Sequence, residues 1–163
     1  MVSTLIAQAQ VKVDESNLVT QLLSIGAGTP AQADGYFIGK KYKLVSKSEK
    51  KLGDYTGEVS KYKIADSTDS YGIIALKEKI INSMYISYSK TFYLKTLDDA
   101  AKMGFKPTEA ATPDAAQTVY SRGDERFIVR VASVKSVKDK TFYVFSASNL
   151  VLTSRAMAEA KGQ

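Results

Sequence analysis

Alternation with a period of two, carried on both limbs of a doubled Lys-Tyr-Lys triplet, constrains this chain more than any other feature. In "KKYKLVSKSEKKLGDYTGEVSKYK", residues 40–63, a Gly-Asp-Tyr-Thr-Gly turn separates the two copies. Ile38, Tyr42 and Leu44 fall on one side of the first limb, and Lys41, Lys43, Val45 and Lys47 on the other; in the second limb Tyr62 and Ile64 lie opposite Lys61 and Lys63. A period of two marks a half-buried strand. The stretch therefore predicts a hairpin whose lysines share an outward face while its tyrosines pack with aliphatic side chains.

The same period returns near the C-terminus. In "ERFIVRVASVK", Phe127, Val129 and Val131 read as inward, with Arg126, Ile128 and Arg130 outward; "SVKDKT" reads as a turn and "TFYVFSASNLVL" as the returning strand. Between the two hairpins, "YGIIALKEKI" predicts a buried strand and "NSMYISYSKTFYLK" two strands or one bent one. Two helices are expected. One covers 14–25, where Leu18, Leu22 and Ile25 follow capping residues, and one runs from Thr96 to Gly104 with Asp98 and Asp99 in its first turn.

"GAGTPAQADG" reads as an unpatterned loop, so residues 1–35 form a helix and arm that dock on a neighbouring subunit. Residues 36–153 form the β domain, with an exposed loop over 105–118, and 154–163 a tail that is a short helix or frayed. These elements describe a mainly β protein: a small antiparallel β-barrel, OB-like, with one N-terminal helix and one inserted helix. A jelly-roll-like or other small sandwich would give similar strand counts.

At 163 residues, with 44% hydrophobic content, the chain is long and apolar enough for one domain with a real core. The absence of His and Cys removes the usual general base, the common metal ligands and the thiol nucleophile. The remaining acidic pairs, Asp66 with Asp69, Asp98 with Asp99 and Asp124 with Glu125, sit where Asp favours turns and helix starts. No phosphate-binding glycine loop is present, and the Arg-Gly-Asp at 122–124 reads as a turn. The expectation is a non-enzyme with no catalytic residues, metal or cofactor. "MVSTLIAQAQ" lacks a basic leader and no run approaches a membrane span, which predicts a cytoplasmic protein, or one packaged in a particle.

The formal charge of +6 favours a polyanionic partner. Lys41, Lys43, Lys47, Lys50, Lys51, Lys61 and Lys63 cluster on the first ribbon, and Arg126, Arg130, Lys135, Lys138 and Lys140 on the second. Tyr55 at the hairpin tip, with Tyr85 and Tyr93, are the rings expected to be free to stack on bases. Cations that track phosphates, combined with stacking rings, are what a single-strand binding groove requires.

The segments "GKKYKLVSKSEKKLGDYTGEVSKYKIADS" and "RFIVRVASVKSVKDKTFYVFSASNLVL" together resemble the small single-stranded DNA-binding proteins of phages and plasmids. The resemblance covers about half the chain and implies an OB-type barrel flanked by a basic first hairpin and a final hairpin. It also implies a sequence-tolerant single-stranded DNA partner. The second expectation is a structural subunit of a viral particle, a β-sandwich whose N-terminal arm joins a homo-oligomer.

Overall fold

The computed structural model of the protein describes residues 12–108, 117–134 and 140–162. Residues 1–11, much of the 105–118 loop, and most of the "SVKDKT" turn, together with Lys135 and Lys138, lie outside the described residues. In chain order the elements are α1 (Leu18–Gly26), α2 (Pro30–Gly39), β1 (Lys43–Leu52), β2 (Tyr55–Lys63), β3 (Ser70–Leu76), β4 (Lys79–Ser87), α3 (Lys90–Lys102), β5 (Lys106–Thr108), β6 (Gln117–Arg122), β7 (Glu125–Val134), β8 (Lys140–Asn149) and α4 (Leu150–Lys161).

All eight strands join one sheet in the order β1-β2-β3-β4-β8-β7-β6-β5, and every neighbouring pair is antiparallel. Two four-stranded meanders, β1–β4 and β5–β8, meet at the β4–β8 pairing. α3 carries the chain from the centre of the sheet to its far side. β1 and β5 therefore end up at opposite edges, and the sheet stays open. Among the described residues the expected OB-like barrel is not formed, and neither is a sandwich, because they hold one sheet and it does not close. The likeness to OB-type DNA-binding proteins fails with it. Among the described residues there are four helices, not two.

Capping explains the helices that the period-two pattern hid. Thr29 accepts from Gln32 N while Gln32 Oε1 accepts from Thr29 N, a reciprocal box with Pro30 at the first helical position, so "TPAQ" starts α2 inside the supposed loop. Ser89 accepts from Phe92 N and starts α3 within the stretch expected to be strand. Asn149, the last residue of β8, accepts from Val151 N and Leu152 N and starts α4.

The sheet is covered unequally on its two sides. On one side α1, α2 and α3 bury Leu18, Val19, Leu22, Ile25 and Phe37 against Tyr62, Tyr71, Ile73, Phe127 and Phe145. On the other, α4 lies over β3, β4 and β8 and encloses a smaller cluster of Ile74, Leu76, Ile81 and Ala156. Adjacent residues of β3 serve opposite sides, which is why this strand reads as an unbroken apolar run. The segment assigned to an arm is therefore core: Val19, Leu22, Ile25 and Phe37 are fully excluded from solvent. α1 and α2 are packed on their own sheet and leave no arm, within 18–39, to hold a neighbouring subunit.

Candidate functional site

β1 is the long edge of the sheet, ten residues of which all but Leu52 are exposed. The chain reaches it through Lys41, whose φ of 66° turns the backbone away from α2, and through Tyr42, whose ring returns to Phe37 and Tyr71. The pairing of β1 with β2 then shifts between Leu44 and Ser46, so Val45 is a bulge. A bulge inserts one residue, and every side chain beyond it changes side relative to uninterrupted alternation. Leu44 pairs with the buried Tyr62, Lys47 with Ser60 and Lys51 with Thr56, all on the three-helix side; Lys43 pairs with Lys63, Ser46 with Lys61 and Lys50 with Gly57, on the α4 side. The lysines of the ribbon are thus divided between two faces rather than gathered on one.

Several side chains assigned to a nucleic-acid face are engaged within the fold. Lys47 Nζ donates to Glu58 Oε1 at 3.0 Å, a contact that raises the Lys47 pKa, and Lys51 Nζ donates to Thr56 Oγ1 at 3.1 Å. Arg126 donates to the carbonyls of Gly123 and Glu125. Arg126 and Arg130 lie on β7, four strand spacings or about 19 Å from β2. The Tyr55 hydroxyl is buried with no hydrogen-bond partner. Tyr85 donates to Asp69 Oδ2 at 2.6 Å, its ring lying 4.6 Å from that of Tyr71, and Tyr93 is on α3, stacked on Tyr143 at 4.4 Å. No basic, tyrosine-bearing face exists among the described residues, so the expected single-stranded DNA partner loses its site.

The tyrosines instead build a network beneath the helices. Tyr71 donates to Gln21 Oε1 at 2.8 Å, Gln21 Nε2 donates to Tyr36 at 2.8 Å, and Tyr36 donates to Glu15, which Lys40 also binds. The Lys40 and Tyr36 contacts hold the Glu15 carboxyl below the usual range. Asp69 accepts from Tyr85 and Ser87, and Tyr62 donates to Asp34 of α2. Burial pushes Tyr36 up to about 12 and raises Tyr62, Tyr71 and Tyr85 further, so these phenols stay protonated and serve as donors rather than bases. Arg122 of the Arg-Gly-Asp turn is likewise committed, to Glu125, to the Met103 carbonyl and over the Phe105 ring.

Two open clefts flank the β1 edge. The first, about 370 Å³, lies on the bulge, with Lys43, Val45, Lys63, Ile64 and Asp66 on its walls. The second, about 440 Å³, separates the start of α2 from the β1–β2 hairpin and holds Asp34, Lys47, Glu49, Glu58 and Glu78. Among the described residues no group of three or more acidic side chains is placed to hold a metal, and no helix is long and apolar enough to cross a membrane. Residues 40–63 carry eight lysines against Glu49, Asp54 and Glu58, so this hairpin supplies five of the chain's six net positive charges. Comparison with protein-family models, curated proteins and solved structures finds no match to this chain.

Proposed function

We propose that this protein is a non-enzymatic interaction module that binds an extended segment of a partner protein by adding it to the sheet alongside β1. The observation that carries this reading is the contrast between the two edges. β5 is three residues long and contains Pro107, which has no N–H to offer a neighbour. β1 is ten residues long and, among the described residues, the N–H and C=O groups of its alternate residues that point away from β2 meet no neighbouring strand. An added strand gains main-chain hydrogen bonds from such an edge and selectivity from alternate side chains.

Lysines on an edge also guard against self-association. Here the guard is selective. Two copies pairing through β1 would bring two strongly basic hairpins together, whereas an acidic segment would be drawn to the same charges.

The test is to pan a displayed library of random peptides against the full chain and map selected peptides by amide hydrogen exchange. Added protection is expected along 43–52 and not at β5. Selected peptides that protect other elements, or a library that yields none, would overturn the reading. Lys47→Pro and Ser48→Pro supply a control, because adjacent strand residues point their N–H groups in opposite directions. One substitution breaks the ladder to β2 and lowers stability; the other removes an edge donor, keeps the sheet intact and abolishes peptide binding.

A further inference from the structure

The bulge at Val45 creates a second feature that strand addition alone does not require. Lys43 and Lys63 are directly opposite each other in the β1–β2 register, and Lys61 follows on the same face. Like charges directly opposite in an antiparallel pair destabilise it. Among the described residues neither Lys43 nor Lys63 has an ion-pair partner. Beside them Val45 is 51% and Ile64 39% exposed, both large apolar side chains on the wall of the same 370 Å³ cleft. Among the described residues the one carboxylate on that wall is Asp66, held at φ 67°.

We infer that this cleft is the selectivity pocket of the β1 edge: it receives one Asp or Glu side chain of the bound segment between Lys43 and Lys63, with a neighbouring apolar residue against Val45 and Ile64. The inference rests on strand addition at β1 being the function. Charge count selects a single carboxylate. Among the described residues that line the cleft, Lys43 and Lys63 carry two positive charges and Asp66 one negative, so one incoming carboxylate brings the lining to neutrality, while a dianion such as inorganic phosphate overshoots it. The ligand also relieves the repulsion between the two lysines, and the apolar wall gains from a hydrophobic neighbour what water cannot supply.

The experiment uses the full chain and the peptides selected from the random library. An Asp or Glu flanked by an apolar residue should recur at one position among peptides that protect β1. Lys43→Gln with Lys63→Gln should weaken these peptides about tenfold, the effect of losing a charge-assisted hydrogen bond. The charge-reversed pair Lys43→Glu and Lys63→Glu should select Lys or Arg at that position instead. The Gln variant removes a like-charge pair, so its thermal midpoint should not fall; the Glu variant keeps like charges opposite each other, and its folding is checked by the dichroism of the sheet. Peptides that protect β1 without acidic enrichment, or that bind the Gln variant unchanged, overturn the pocket and leave strand addition standing. Absence of protection along β1 overturns strand addition itself. Inorganic phosphate and acetate form the last arm: phosphate that shifts the Lys43 and Lys63 resonances at concentrations where acetate and selected peptides do not would mark a phosphate site and overturn the carboxylate assignment.

Discussion

Phe37 of α2 stacks on Tyr62 of β2 with ring centroids 4.2 Å apart and planes 23° apart, both rings shielded from water. The Tyr62 hydroxyl donates to Asp34 one turn earlier in the same helix, so α2 is fastened to β2 by an apolar and a polar contact together. This clamp fixes the root of the β1–β2 hairpin. Phe37→Ala should cost about 3–5 kcal/mol, the usual cost of emptying a buried phenylalanine site. Denaturant unfolding measures it, and a loss below about 1 kcal/mol would show that α2 does not hold the hairpin.

Gly57 occupies a point where β2 has no room for a side chain. A Cβ there would stand 2.7 Å from Leu52 Cδ1 and 3.0 Å from the carbonyl oxygen of Ala75. Elsewhere in a strand, Gly→Ala stabilises by about 0.5–1 kcal/mol. Gly57→Ala should instead destabilise by about 1–3 kcal/mol through overpacking. Adding Leu52→Ala should restore only part of the loss, because the backbone of β3 cannot withdraw. A neutral or stabilising Gly57→Ala would contradict the close approach.

The Tyr55 hydroxyl, buried without a partner beside the Ile74 and Leu76 cluster, is a cost the fold carries. Tyr55→Phe removes the unsatisfied group and keeps the ring, so stability should rise by about 1 kcal/mol. A fall on Tyr55→Phe would mean that the hydroxyl is bonded in solution.

Alkaline unfolding should follow from the phenol network. Free tyrosine ionises near pH 10. In the folded chain burial holds Tyr36 up to about 12 and raises Tyr62, Tyr71 and Tyr85 beyond it. Below pH 10 both states keep their phenolic protons and stability is unaffected. Above it the unfolded chain releases protons that the folded chain retains, so stability falls by about 1.4 kcal/mol per pH unit for each of the buried Tyr62 and Tyr71, and by less for the half-buried Tyr36 and Tyr85. Phenolate absorbance from these residues should appear together with loss of the far-ultraviolet circular dichroism of the sheet. Full ionisation at pH 11 with the dichroism intact would contradict their burial.

Much of the local structure was legible in the chain. Alternation located β2, β7, β8 and the first half of β1, although the start of the strand read over 36–47, with Ile38, is the end of α2; Asn17 followed by Leu18, Leu22 and Ile25 located α1. One further helix and the start of another were signalled and passed over: Thr29-Pro30 with Gln32 for α2, and Ser89 with Phe92 for the first turns of α3, whose second half the expected Thr96–Gly104 helix covers. Aromatic residues favour strands on average, and their count in "SKTFYLK" outweighed the cap. The phenol network had no such signal. Gln21 and Tyr71 are fifty residues apart, and only the packing of α1 on the sheet brings them together.

By itself the sequence determined the first and last hairpins, β1 with β2 and β7 with β8, that the hairpin at 40–63 carries nearly all the net charge, and that no histidine or cysteine chemistry is available. Only the tertiary structure decided whether the sheet closes and which face each lysine occupies. Closure depends on whether β1 meets β5, more than fifty residues away, and α3 delivers β5 to the opposite edge. The lysine faces depend on the extra residue at Val45, which exists only as a mismatch between two paired strands. Alternation is a property of one strand, whereas register and closure belong to pairs of strands that the chain brings together from a distance.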